Sequence, residues 1–260
     1  MSPISYQFEN GVATVTLNRP DKMNALNMAL FEALVTTGEK IKADKRVRVV
    51  ILHGAGNGFC AGLDTELMMT INNIDVHERT HGLANLFQQA AWVWHEIPVP
   101  VIAAVHGTCF GGGLQIISGA DIRYIHPATQ ISIMELKWGI VPDMAGTQLW
   151  KTYVREDIIR ELTYTARVFS GQQAAEYGFA TRLCHHPVAE AQAIAAQIVN
   201  KNPHAVRAAK RLINKQAEHS SADGLMAESI EQMALINTPN QIEAVMANME
   251  KREPQFFDPS

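Results

Sequence analysis

Two short loops carry residues that can do chemistry with the main chain alone. In His106-Gly107-Thr108-Cys109-Phe110-Gly111-Gly112-Gly113-Leu114-Gln115, three successive glycines separate one apolar run from another. Such a run costs backbone entropy, and it gives bare amides and access to unusual φ angles. Amides that open a helix have no intrahelical partner and carry partial positive charge, so they can hold a phosphate or an oxyanion. The lysine of a P-loop and the remaining glycines of a dinucleotide fingerprint are missing. A plain strand-to-helix turn fits the same residues. In the second loop, Phe59-Cys60-Ala61-Gly62-Leu63-Asp64, Ala61 and Gly62 allow another group to approach the backbone closely. An ordinary surface turn is the alternative there.

One carboxylate stands out. Glu135 lies among Ile133, Met134, Leu136 and Trp138. Burial against such a wall raises a carboxylate's pKa toward neutrality, which suits a general acid–base. A glutamate stabilising the start of a helix is the competing reading.

The elements that must position these groups follow from periodicity. Residues 4–8 and 12–17 alternate around Asn10-Gly11, a hairpin pattern. Helical spacing runs from Ala25 to about Lys42, and a short apolar strand covers Val47 to Leu52. Leu67 to about Glu96 is loosely helical, with a polar stretch from Asn72 to Thr80 that suits a lid. Val101–Val105 reads as a buried strand, and short strands follow at 121–125 and 131–133. Beyond about residue 145, helix formers recur at 155–164, 172–178, 188–200, 203–217, 222–236 and 239–251. The fold class is therefore α/β, with strand-loop-helix units in the first half and helices in the second. Pro203 marks a boundary between a core, 1–200, and a helical C-terminal region, 201–260.

Composition narrows the class. Apolar residues form 47% of the 260 and charged residues 18%, enough to fill one large core. The net charge of −4 supplies no global field for nucleic acid or an anionic membrane. Cys60, Cys109 and Cys184 are scattered, which suits a reducing compartment and no metal site. No apolar run approaches the roughly 18 residues that span a bilayer. The N-terminus lacks a signal-peptide pattern, so the expected location is cytoplasmic.

Taken together, the loops resemble a known family. Phe59 to Asp64 is similar to the Phe-x-Ala-Gly-x-Asp motif of the crotonase (enoyl-CoA hydratase/isomerase) superfamily, and Gly107 to Gly113 to its Gly-x-x-x-Gly-Gly-Gly motif. Val15 to Pro20, Asn24-Ala25-Leu26, Glu135 to Gly139, Gly146-Thr147-Gln148, Thr165 to Gly178 and Lys251-Arg252 resemble its other segments in order. The resemblance implies a spiral of ββα units whose C-terminal helices assemble a homotrimer or a dimer of trimers. It implies an acyl-coenzyme A substrate, with no cofactor beyond that coenzyme. The oxyanion hole falls on the amides of Leu63 and Gly112. The coenzyme falls on Lys22, Met23, Ala61, Gly62 and Asp64, with Lys251 and Arg252 near it. Met68, Met69, Trp92, Trp94 and Trp138 are candidates for the acyl pocket or for the core.

The hydratases of that superfamily use two glutamates. Gln115 occupies one of those positions and Glu135 the other. Glutamine can orient water but does not exchange a proton near neutral pH. Asp143, eight residues past Glu135, resembles an acid of the dienoyl-CoA isomerases, which carry an aspartate where Gln115 stands. Two carboxylates across a pocket suit a proton shuttle, and a turn aspartate after Pro142 is the plain alternative. Double-bond isomerisation is thus favoured over strict hydration. Thioester hydrolysis, decarboxylation and a non-catalytic binding role are the alternatives.

Overall fold

The structure is a computed structural model, and it describes residues 2–70 and 74–259. Strands β1 (Ile4–Glu9) and β2 (Val12–Leu17) form the expected hairpin. Asn10 and Gly11 both adopt positive φ at its turn, 49° and 79°. The sheet continues in parallel through β3 (Val49–Gly54), β4 (Val101–Val105), β6 (Ile122–Ile125) and β9 (Arg182–Leu183). A smaller sheet is built from β5 (Thr108–Phe110), β7 (Gln130–Ser132) and β8 (Phe169–Ser170).

The apolar runs of β3 and β4 follow from burial on both faces. Val50, Leu52, Val101, Ala103 and Val105 enter the main core, with Leu30, Phe31 and Leu34 of α1 (Met28–Ala43) and Phe87 and Trp94 of α3 (Leu86–Glu96). Val49, Ile51, Ile102 and Ala104 face the other way, onto Ala191 and Ala195 of α8 (Pro187–Val199).

Three differences from the sequence reading have local causes. Helix α1 begins later than expected because Leu26 pairs with Leu63 and Asn27 caps the helix, its side chain accepting from Leu30 N at 3.0 Å. The expected helix from Leu67 splits into α2 (Thr65–Met68) and α3. A capping box fixes the start of α3: Gln88 N donates to Asn85 Oδ1 at 2.9 Å, and Asn85 N donates to Gln88 Oε1 at 3.0 Å. Of the stretch considered as a lid, Asn72 and Asn73 lie outside the described residues. Finally, Thr108–Phe110, read as part of a glycine loop, is a strand.

At the C-terminal end Pro203 opens α9 (Pro203–Lys215), capped by Asn202. Lys210 of α9 is buried against the core, its Nζ 2.7 Å from Asp121 Oδ2. Helix α10 (Ser221–Leu235) buries none of its residues, and α11 (Pro239–Glu250) buries Asn240 and Ala247. No helix among the described residues is long and apolar enough to cross a membrane.

Candidate active site

The two glycine loops meet. Cys60 and Cys109 pair as in parallel strands: Cys60 N donates to Thr108 O at 2.9 Å and Phe110 N to Cys60 O at 3.0 Å. Small residues make the approach possible. A Cβ added at Gly113 would lie 2.7 Å from Cys60 Cβ and 2.9 Å from its carbonyl oxygen. At Gly62, whose φ of 92° favours glycine, a Cβ would lie 3.1 Å from the Phe110 carbonyl oxygen, a tight approach.

Among the described residues, two amides beside this pairing have no backbone acceptor, those of Leu63 and Gly112. Leu26 N donates to Gly62 O at 2.8 Å and Asp64 N donates to Leu26 O at 3.0 Å. The flanking residues thus take the Leu26 side, and the Leu63 N–H faces the other way. Gly112 is the first residue of α4 (Gly112–Ser118), a position whose N–H has no intrahelical acceptor. Both residues line a cavity of about 370 Å³, with Ala61, Gly62, Asp64, Met68, Glu135 and Trp138 among its other walls.

Glu135 opens a short 3-10 turn (Glu135–Trp138) and is buried. Burial raises its carboxyl above the usual glutamate range. Its own backbone N–H and then the Gln115 hydrogen bond oppose that shift, and the negative charge of Asp143 adds to it. Gln115 Nε2 donates to Glu135 Oε1 at 2.6 Å. Gln115 Oε1 accepts from Met144 N and Gly146 N, each at 2.9 Å. Glu135 Oε2 is buried with no hydrogen-bond partner among the described residues. Asp143 has an exposed surface and does not line the cavity, yet the surrounding protein still raises its carboxyl.

The remaining sequence candidates divide. Lys22 lines the cavity beside Ala61 and Gly62, with Glu66 3.8 Å away. Met23 is not on the wall; its carbonyl holds the loop by accepting from Ala61 N at 2.9 Å. Asp64 lines the cavity, but its carboxylate is committed inside the protein: Oδ2 takes both Arg19 Nη atoms at 3.1 Å, and Oδ1 caps Glu66 N at 3.2 Å. These bonds tie the Cys60–Asp64 loop to Arg19 and to the start of α2. Met68 and Trp138 line the cavity, whereas Met69 projects into solvent and Trp94 belongs to the core. Trp92 lines a larger cavity of about 870 Å³ with Tyr153 and Lys210, which contains neither glycine loop nor Glu135. Chemistry rather than size therefore picks out the site. Arg252 is tied to Glu243 and Glu250.

Sequence reasoning passed over Arg19, whose Nη1 also donates to Ala25 O and so ties the Lys22–Ala25 segment to Asp64. An arginine before a proline carried no signal of that pairing. It also passed over Lys137, on the cavity wall beside Trp138. Cys60 and Cys109 are buried free thiols; burial pushes Cys60 up to about 12, so it stays an unreactive packing group.

The family model for enoyl-CoA hydratase/isomerase matches residues 7–259. The chain belongs to that family of the crotonase superfamily, as an enzyme of the hydratase/isomerase class. It is 34% identical to the mitochondrial Delta(3,5)-Delta(2,4)-dienoyl-CoA isomerase of Mus musculus, over 93% of this chain and 77% of that one. It is 29% identical to the mitochondrial methylglutaconyl-CoA hydratase of the same species, over 95% and 79%. Among solved structures, enoyl-CoA hydratase from Bacillus anthracis matches with a TM-score of 0.88 and 30% identity, over 98% of each chain.

Proposed function

We propose that this enzyme shifts a double bond in an acyl-coenzyme A thioester by moving one proton through Glu135. The thioester carbonyl oxygen sits between Leu63 N–H and Gly112 N–H. Glu135 takes a proton from the α or γ carbon, and the released electron pair spreads onto the thioester oxygen. Each of the two donors stabilises that charge by about 3 kcal/mol. Glu135 then returns the proton to the other end of the conjugated system, so no atom is gained or lost. Asp143, near enough to raise Glu135's proton affinity, is the candidate second proton carrier.

The observation that carries this reading is the charge pattern of the cavity. Its wall has two carboxylates, Asp64 and Glu135. Asp64 is paired with Arg19, which leaves Glu135 as the group able to exchange a proton. Coenzyme A belongs to the substrate, and its binding falls to Lys22 and the Ala61-Gly62 loop, which Met23 and Asp64 hold in shape. The exposed apolar residues Leu225, Met226, Ile230 and Met233 of α10 support assembly into a trimer or dimer of trimers.

A panel of saturated, 2-enoyl, 3-enoyl and 3,5-dienoyl thioesters tests the reaction. Isomerisation leaves the mass unchanged and moves the ultraviolet absorbance. A hydrated product, or free coenzyme A, as the main product would refute it.

A further inference from the structure

We infer that Lys137 is a specificity-determining residue: its ammonium recognises a carboxylate at the far end of the acyl group. The substrate class is then a short acyl-coenzyme A thioester that carries a second, free carboxylate. The inference rests on the reading of this cavity as the thioester site.

The charges on the cavity wall point to it. Four charged side chains line that wall: Lys22, Asp64, Glu135 and Lys137. Asp64 is neutralised by Arg19 at 3.1 Å. Burial favours the uncharged form of Glu135. Lys22 has Glu66 3.8 Å away. Lys137 differs from all three. Among the described residues no carboxylate lies within ion-pair reach of its ammonium, and its Nζ rests 5.9 Å from the centre of the Trp138 ring. The acids of α6 (Glu156–Thr165), the helix packed on this turn, are engaged elsewhere, Glu156 by Arg160 and Glu161 by Arg167. The wall therefore keeps one uncompensated positive charge, and a ligand that brings a negative group to it is complementary.

Position decides which anion this is. Lys22 stands beside Ala61 and Gly62, on the side given to the coenzyme. Lys137 belongs to the 3-10 turn that carries Glu135, and Trp138 and Ile140 are its neighbours on the wall. Two residues of such a turn advance about 4 Å, so Lys137 lies a short step from the proton carrier. A cavity of about 370 Å³ is roughly 9 Å across as a sphere, which fits a short chain beyond the thioester. The groups then follow the order of the substrate. The Leu63 and Gly112 amides meet the thioester oxygen, Glu135 meets the carbon that loses its proton, and Trp138 and Ile140 flank the chain. Lys137 meets the end of it. Lys137 is open to solvent. An apolar chain laid against it strips water from the ammonium without replacing it, whereas a carboxylate replaces that water with a charge-assisted bond.

Two matched pairs of thioesters test this in the full-length enzyme. One pair is a six-carbon 3-enoyl thioester ending in a methyl group or in a carboxylate; the other is the saturated version of each. In wild type, kcat/KM for the carboxylate-ended 3-enoyl thioester is expected to exceed that of the methyl-ended one by about tenfold, and the ratio should shrink as ionic strength rises. Lys137→Met, similar in length and uncharged, should lower that ratio by about tenfold, chiefly through KM. Lys137→Arg should keep most of it. A wild-type ratio near one, or a ratio unchanged in Lys137→Met, overturns the inference. So does an equal loss on both thioesters, because it would place Lys137 on the coenzyme. Calorimetric titration of the saturated pair needs no chemistry and separates the causes. Tighter binding of the carboxylate-ended member, lost in Lys137→Met, upholds the inference even where the 3-enoyl thioesters are hydrated or cleaved, a result that refutes only the proton shift. Isomerisation of both thioesters with no preference for the carboxylate refutes only the role of Lys137. Binding of neither saturated thioester overturns the assignment of the cavity and the inference with it.

Discussion

Replacing Gly113 with alanine should damage the rate far more than the fold. Gly113 lies within α4, with no positive φ to strain a side chain. Alanine is favoured over glycine inside a helix by about 1 kcal/mol. Against that, the new methyl would sit 2.7 Å from Cys60 Cβ, 2.9 Å from Cys60 O and 3.2 Å from Cys60 Sγ. Overpacking of this kind costs about 1–3 kcal/mol. The net loss of stability is therefore between zero and about 2 kcal/mol, a fall in Tm of no more than roughly 8 °C for a chain of this size. The overlap is with a main-chain oxygen and a β-carbon, so no flexible side chain can swing aside. Relief must come from spreading the Cys60–Leu63 and Phe110–Gly113 segments, which carry the amides of Leu63 and Gly112. A misplacement near 1 Å costs about a hundredfold in rate. Thermal unfolding and thioester turnover on the same preparation check both numbers. Turnover within about twofold of wild type, with Tm in the stated range, would show that the loop spacing does not set the oxyanion geometry.

Other perturbations have equally definite outcomes. Arg19→Met strands the buried Asp64 carboxylate and should cost about 3–5 kcal/mol in urea unfolding. Against the upward push of burial, the Glu66 N–H and then Arg19 hold Asp64 below the usual aspartate range. Its contribution to stability is thus present above the ordinary aspartate pKa and lost as pH falls through the lowered one. In Arg19→Met that acid-side loss should shrink. Glu135 behaves in the opposite sense: burial raises its pKa, so its neutral form favours folding, and that contribution disappears as pH rises through the raised value. The acid limb of kcat/KM should accordingly lie above the ordinary glutamate range, and Glu135→Gln should unfold at a higher temperature than wild type at pH 8. Ile230→Asp, on the uncovered face of α10, should lower the assembly state seen by sedimentation while leaving far-ultraviolet circular dichroism unchanged.

How much was legible in the sequence depended on where each signal lay. Hairpin, buried strands and helices announced themselves through periodicity and through Asn10-Gly11. The two glycine loops and Glu135 were readable because glycine and a carboxylate in apolar company are unusual locally. What escaped was settled at long range. Leu26 fits a helix by spacing, but its pairing with Leu63 took it out of α1. Trp92 and Trp94 are alike in sequence, yet one lines the large cavity and the other fills the core. The anchors of Gln115 are backbone amides of Met144 and Gly146, about thirty residues away, and a backbone amide leaves no mark in composition. Arg19 and Asp64, 45 residues apart, show their pairing only once the chain is folded.

Deuterium wash-in tests the role of Glu135 most directly. Wild type and Glu135→Gln are incubated with a 3-enoyl thioester in heavy water, and deuterium in recovered substrate and product is counted by mass, alongside calorimetric titration of a saturated thioester. Wild type should incorporate deuterium at the α or γ carbon. The variant should bind the saturated thioester as tightly while its exchange falls by about 10²–10⁴-fold. Exchange at the wild-type rate in Glu135→Gln would mean that another group moves the proton.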